Sequence, residues 1–186
     1  KTTLFNLLTG SNQYVGNWSG VTVESKEGIL KNHNNITITD LPGIYSLSPY
    51  SPEEVVARNY LVNEKPNVII NIVDGTKLER NLYLTLQLME IGVPIVVAIN
   101  MMDVVRKNGG KIYIEKLSKI LGIKVVEISA LKNLGIDNLI NTTIQVANNK
   151  TSPPKFIKYN SNVENTLQYI ESKINNNSIK EKSRYY

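Results

Sequence analysis

The chain has no cysteine among its 186 residues, so a disulfide framework, a thiolate metal site and a cysteine nucleophile are all excluded. It has one histidine, His33, which falls in the stretch His33-Asn34-Asn35 and reads as a solvated turn residue without a chemical role. Long apolar runs are missing as well. The longest, around residues 68–73 and 93–99, fall far short of the roughly 20 residues that span a bilayer. No stretch reads as a signal peptide. The body also lacks a charge excess: residues 1–149 carry 14 Lys and Arg against 13 Asp and Glu. The net charge of +5 therefore comes from residues 150–186, where the count is 7 against 3. A basic tail on a near-neutral body points to a solvated helix or a surface facing acidic lipid, and no nucleic-acid partner is expected.

What is present is the composition of a folded globular protein, 41% apolar and 20% charged, with enough length for one α/β domain and a modest appendage. Residues 1–10 read as a helix with Leu4, Leu7 and Leu8 on one face and Gly10 as its stop. Residues 11–20, with Asn, Gly and Ser around the single Trp18, read as a loop. A strand is expected from Val21 toward Leu30, then a turn at residues 33–35, then a second strand whose Ile36 and Ile38 face the core. After the loop at residues 44–51, Ser51-Pro52-Glu53-Glu54 carries a hydroxyl cap, a proline at the first helical position and acids in the first turn, so a helix is expected to about Asn63.

Residues 68–74 and 93–100 are continuous apolar runs, the mark of parallel strands covered on both faces. Between them residues 76–91 form an amphipathic pattern with Leu78, Leu82, Leu86 and Met89 inward. A helix at 112–121, a strand at 124–128, a loop at 129–134 and a helix from Gly135 to about Val146 follow. The alternation implies a mostly parallel sheet with helices on both faces and one antiparallel edge hairpin. Residues 1–147 would be this domain, 148–158 a linker rich in Asn, Thr, Ser and Pro, and 159–186 the start of a helical unit too short to build its own core.

Four stretches carry chemistry. Asp40-Leu41-Pro42-Gly43 sits where a strand ends, the edge at which open α/β sheets bind ligands, and Gly43 lets backbone N–H approach an anion. Lys1-Thr2-Thr3 opens a helix as the lysine and hydroxyl of a phosphate-binding loop do, although the glycine half of that motif is absent. Asn100-Met101-Met102-Asp103 follows a buried strand and so lies at the same edge. An Asp carboxylate accepts two hydrogen bonds side by side, which matches the N1–H and exocyclic amine of guanine and mismatches adenine. The wrong base leaves a buried group unpaired, at a cost of about 1–3 kcal/mol per group. Ser129-Ala130, at a further strand end, offers small residues and backbone N–H for the guanine oxygen.

Together with Gly16-Asn17-Trp18-Ser19-Gly20-Val21-Thr22-Val23-Glu24, Asp40-Leu41-Pro42-Gly43-Ile44-Tyr45-Ser46-Leu47-Ser48 and Ser129-Ala130-Leu131, the Asn-Met-Met-Asp stretch resembles the cytosolic G domain of the bacterial ferrous iron transport protein B family. The likeness covers nearly all of residues 1–146. It implies a Ras-like P-loop GTPase fold and a slowly hydrolysing, GTP-binding switch for a ferrous iron transporter. Lys1 would hold the β- and γ-phosphates, Thr3 would lie near the α-phosphate, and Thr2, Thr22 and Asp40 would serve Mg²⁺. Gly20, Val21, Thr22, Val23 and Glu24 would form the first switch. Asp40, Leu41, Pro42 and Gly43 would form the second, with the Gly43 N–H sensing the γ-phosphate. Asn100, Met101, Met102, Asp103, Ser129, Ala130 and Leu131 would bind guanine. Partners implied are GTP and GDP and the transmembrane part of the same polypeptide, with oligomers forming through that part. The domain itself would be soluble, at the cytoplasmic face of the inner membrane.

Two departures bear on this. Ile44 follows Gly43 where Ras-like enzymes carry the Gln that positions water, so hydrolysis is expected to be slow unless another group, or the K⁺ that the resemblance suggests, supplies the missing charge. The strand and glycines before Lys1, and the Asn expected to hold K⁺, are absent, so the sequence is expected to be a fragment cut at both ends. The competing readings are a ribosome- or tRNA-associated GTPase using the basic tail, and a fragment unable to hold nucleotide.

Overall fold

The computed structural model describes residues 1–10, 13–18, 20, 22–149 and 160–173. Helix α1 (Thr2–Thr9) buries Leu4, Phe5 and Leu8 and stops where Gly10 takes a φ of 66°. The next stretch departs from its reading as a loop, because Gln13–Asn17 form a strand, β1. It pairs antiparallel with β2 (Glu24–Ile29), and β2 pairs antiparallel with β3 (Thr37–Asp40). No apolar alternation announces β1, since Tyr14 and Val15 are both exposed and the ladder to β2 alone holds it. Thr22, expected inside a strand, lies just before β2. His33 is half-buried rather than solvated: its N–H donates to the Leu30 carbonyl and its carbonyl accepts from Ile36, both at 3.0 Å.

Helix α2 (Pro52–Asn63) begins with a complete capping box. The Ser51 hydroxyl accepts from the Glu54 N–H at 3.2 Å, and the Glu54 carboxylate accepts from the Ser51 N–H at 3.2 Å. Then come β4 (Ile69–Asp74), a single 3-10 turn (Gly75–Lys77), α3 (Leu78–Glu90), β5 (Ile95–Asn100), α4 (Met102–Lys107), α5 (Ile114–Leu121), β6 (Lys124–Glu127) and α6 (Ile136–Asn148). Strands β4, β5 and β6 form a parallel sheet in that order, with Ile69 opposite Ile95 and Val96 opposite Lys124. The antiparallel part is thus a separate three-stranded sheet, β1-β2-β3, and no ladder joins β3 to β4 among the described residues.

Alternate residues of β5 feed two cores. Ile95, Val97 and Ile99 join a cluster with Leu88 and Met89 of α3 and Met102 and Val105 of α4. Val96 and Ala98 join the opposite one, with Leu4 and Leu8 of α1 and Leu139 and Val146 of α6. This period of two places helices on both faces of the parallel sheet. The inner face of α3 is rotated from the expected one: Thr85, Leu88 and Met89 are deepest, and Leu82 is only half-buried. Thr85 can lie there because Asn71 of β4 donates to its hydroxyl at 2.8 Å. Helix α4 was not legible, six residues being too few to show a period. The helix expected around residues 163–170 is α7 (Ser161–Lys173), with Tyr169 and Ile170 exposed. The expected linker lies mostly outside the described residues, as does 174–186.

Two substitutions test these local devices in denaturant titrations. Ser51→Ala removes one half of the capping box and is expected to lower stability by about 1 kcal/mol with an unchanged slope. Gly135→Ala places a Cβ against the Glu127 carbonyl oxygen at a φ of 75°. Its cost is expected to be about 1–3 kcal/mol from backbone conformation before the clash is counted; an effect smaller than that of Ser51→Ala would contradict this packing.

Candidate functional site

Where β5 ends at Asn100, Met101 takes a left-handed conformation, φ 64° and ψ 27°, and turns the chain into α4. The N–H groups of Val104 and Val105 close that turn on the Met101 carbonyl at 3.0 and 3.1 Å. Met102 is 4% exposed and packs into the first core, so it anchors the turn, whereas Met101 is exposed. Asp103 comes to rest in the first turn of α4 with its side chain only 16% exposed.

The loop after β6 is tied to this corner. Ser129 and Leu134 exchange both backbone hydrogen bonds at 3.0 Å, closing the loop on itself. The Asn100 Oδ1 accepts from the Ala130 N–H at 2.9 Å. That N–H, expected to face a guanine oxygen, is therefore engaged by Asn100. Ser129 and Ala130 are buried and Leu131 is exposed. The Ser129 hydroxyl donates to Asp103, and Lys132 Nζ lies 3.2 Å from Asp103 Oδ2. Together, the hydroxyl first, they hold the Asp103 carboxyl below its ordinary value of 3.8 against the opposing effect of desolvation. Lys132 was missed in the sequence, where its place one residue beyond Leu131 in a strand-end loop was the only signal. Arg106 binds both oxygens of Glu127 at 2.7 and 2.8 Å, pinning α4 to β6.

A second cluster forms at the end of β3. Lys1 Nζ lies 3.1 Å from Asp40 Oδ1 and also donates to the Leu41 carbonyl. No side chain caps α1, and Thr2 and Thr3 are exposed. The leading N–H groups of that helix thus point outward at its positive end, an arrangement suited to an anion. Leu41 and Ile44 pack against the first core, which fixes the turn between them. Gly43 is exposed, and a Cβ there would meet open space.

Thr22 lies in neither cluster. It lines a shallow cleft of ≈ 650 Å³ with Asn17, Trp18, Gly20 and Pro52. Trp18 meets Tyr60 of α2 edge-on, centroids 5.3 Å apart, and its backbone N–H donates to the Val23 carbonyl at 2.8 Å. Gly20 has a φ of 78°, Val23 is half-buried, and Glu24 pairs with Lys26 at 3.3 Å. Val21 lies outside the described residues.

Among the described residues no group of three or more His, Cys, Asp or Glu could hold a metal by itself. The one carboxylate and two hydroxyls expected at Mg²⁺, Asp40, Thr2 and Thr22, fall well short of the six oxygens that ion takes. Such a donor set fits an ion carried on phosphates and completed by water.

Comparison with known proteins follows the same lines. A family model described as ferrous iron transport protein B matches residues 1–143. The chain is 46% identical over 180 residues to an Fe(2+) transport protein A/Fe(2+) transporter FeoB fusion protein of Porphyromonas gingivalis, covering 95% of this chain and 21% of that one. It is 42% identical over 191 residues to an Fe(2+) transporter FeoB of Legionella pneumophila, covering 100% of this chain and 25% of that one. It thus spans about a fifth to a quarter of the length of these curated relatives. The crystal structure of an S. thermophilus NFeoB mutant bound to GDP matches with a TM-score of 0.90 at 46% identity, covering 97% of this chain and 71% of that one. No helix among the described residues is long and apolar enough to cross a membrane. With the family model matching residues 1–143 and the GDP-bound structure superposing over nearly the whole chain, the chain belongs to the ferrous iron transport protein B family and has the fold of its G domain.

Proposed function

We propose that this chain is the GTP-binding and slowly hydrolysing switch of a ferrous iron transporter, acting at the cytoplasmic face of the membrane on the transmembrane part of the same polypeptide. The observation that carries the reading is Asp103, a recessed and ionised carboxylate in the first turn after β5, joined through Ser129 to the loop that Asn100 holds in place. Its two oxygens suit the paired donors on one edge of guanine. The Asn100 and Ala130 pair fixes the distance between the two walls of the base site, and Leu131 and Met101 border it with apolar surface. Residues 1–147 form the G domain, and α7 (Ser161–Lys173) belongs to a helical unit beyond it, the expected linker lying mostly outside the described residues.

Lys1, Thr2, Thr3 and the N–H of Gly43 would meet the phosphates, at a helix N-terminus and a turn that both present backbone donors. A Mg²⁺ brought with the nucleotide would neutralise phosphate charge, with Thr2, Thr22 and Asp40 around it. For Asp40 to serve the ion, Lys1 must leave its carboxylate for the phosphates, and the two lie within one side chain's movement of that exchange. Ile44, packed against the core, offers no group to orient water, which fits slow hydrolysis and leaves room for a K⁺ to supply charge.

Binding of GTP and ATP to the intact protein tests the base assignment. A preference for GTP is expected, reduced roughly ten- to hundred-fold in Asp103→Ala; equal binding of the two nucleotides by the unmodified protein would reject it. The pH dependence gives a second test. Contacts that hold Asp103 below 3.8 stabilise the fold fully above that ordinary value, and their contribution is lost as pH falls through the lowered one. The ratio of GDP to ADP affinity is accordingly expected to stay flat from about pH 8 to about pH 5. A ratio that falls within that window would show that another group carries the discrimination.

A further inference from the structure

Lys132 has no place in the base site described above, yet it occupies the atom on which that site depends. Its Nζ lies 3.2 Å from Asp103 Oδ2, with the lysine side chain 57% exposed and the aspartate 16%. The ammonium therefore reaches into a recess from the solvent side. Its backbone is not free to drift, because the Lys132 N–H donates to the Ser129 carbonyl at 3.2 Å inside the loop that Ser129 and Leu134 close. Arg106, three residues beyond Asp103 on α4, is bound at both oxygens of Glu127. It is Lys132, then, that neutralises Asp103.

A base edge with adjacent N–H and amine donors needs both carboxylate oxygens, and the Lys132 ammonium sits against one of them. Resting on the guanine reading of Asp103, we propose that Lys132 is a built-in competitor for the base: it pairs with Asp103, is displaced when guanine binds, and returns to speed release. An exposed lysine suits this role. A pair of this kind is weak in water and screened by salt, so a ligand making two hydrogen bonds in its place displaces it readily. Released, the ammonium regains full hydration, and the stem stays clear of the base because the loop holds its Cα in place. The competitor thus lowers affinity by a small factor without altering which base is chosen.

The test uses the intact protein and fluorescent GDP in stopped flow, comparing the unmodified protein with Lys132→Met, which keeps the stem and removes the charge. At low salt, Lys132→Met is expected to bind GDP two- to five-fold more tightly, the range that a weak exposed pair allows, with slower dissociation. The preference for GDP over ADP is expected to be unchanged. Raising salt to about 0.5 M screens the pair and is expected to bring the two proteins together. Weaker GDP binding in Lys132→Met would mean that the lysine contacts the nucleotide, and equal binding at low salt would mean that the pair does not compete; either overturns the proposal while the base assignment stands. An unmodified protein that binds GDP and ADP alike would instead remove the base assignment, and this proposal with it.

Discussion

Five consecutive residues of β5, Ile95 to Ile99, are 2% exposed or less and divide alternately between two cores, so that the strand is held from above and below along its whole length. Each Val or Ile buried in this way contributes about 1.5–3 kcal/mol relative to exposure, an upper estimate set against an extended chain. The strand cannot shift without opening both cores. Asn100, the polar residue that ends it, is therefore a fixed point, and its Oδ1 fixes the Ala130 N–H in turn. An amide left unpaired in so buried a place costs about 1–3 kcal/mol, so the bond between these two loops is a condition of the fold as much as a feature of the site. Met102, packed below, makes the turn rigid from the other side.

At the edges of this frame the same electrostatic arrangement occurs twice. Asp40 and Asp103 are recessed carboxylates, 14% and 16% exposed, and each faces a more exposed lysine, Lys1 and Lys132. A carboxylate in a recess without a partner would carry an uncompensated desolvation cost. A fully buried partner would be hard to remove. A half-exposed lysine avoids both extremes: it compensates the carboxylate's charge, and a ligand that offers better-placed donors could displace it. Both pairs sit where a strand of one of the two sheets ends, Asp40 at the end of β3 and Asp103 in the first turn after β5.

Much of this was legible in the sequence, and for definite reasons. The buried strands β4 and β5 are long apolar runs, the capping box at Ser51 and Glu54 is a local code, and Asp40, Asn100 and Asp103 follow strands whose ends could be placed within a residue or two. What escaped depended on partners distant in the chain. Strand β1 exists only through its ladder to β2, since neither Tyr14 nor Val15 is covered. Thr85 faces inward only because Asn71 is there to meet it. Lys132 acquires meaning only from a carboxylate 29 positions away, a pairing that no local pattern encodes.

The stretch around Thr22 obeys a tighter constraint than its exposure suggests. The Trp18 backbone N–H is bonded to the Val23 carbonyl, and the Trp18 ring rests against Tyr60. The Tyr60 hydroxyl donates to Thr39 at 3.1 Å, and Thr39 donates to Glu27 at 3.1 Å. Thr39 immediately precedes Asp40 on β3. Trp18 and Val23 are thus fastened to each other, and one residue of chain, the distance from Val23 to Thr22, reaches at most about 3.6 Å. For its hydroxyl to approach an ion held beside Asp40, Thr22 must either carry Val23 and the start of β2 with it or break the Trp18–Val23 bond. In the first case the Glu27–Thr39–Tyr60 chain is strained, and in the second Trp18 is left to its packing on α2 alone. Through these contacts Val23, the residue after Thr22, is linked to α2, the helix that follows Gly43.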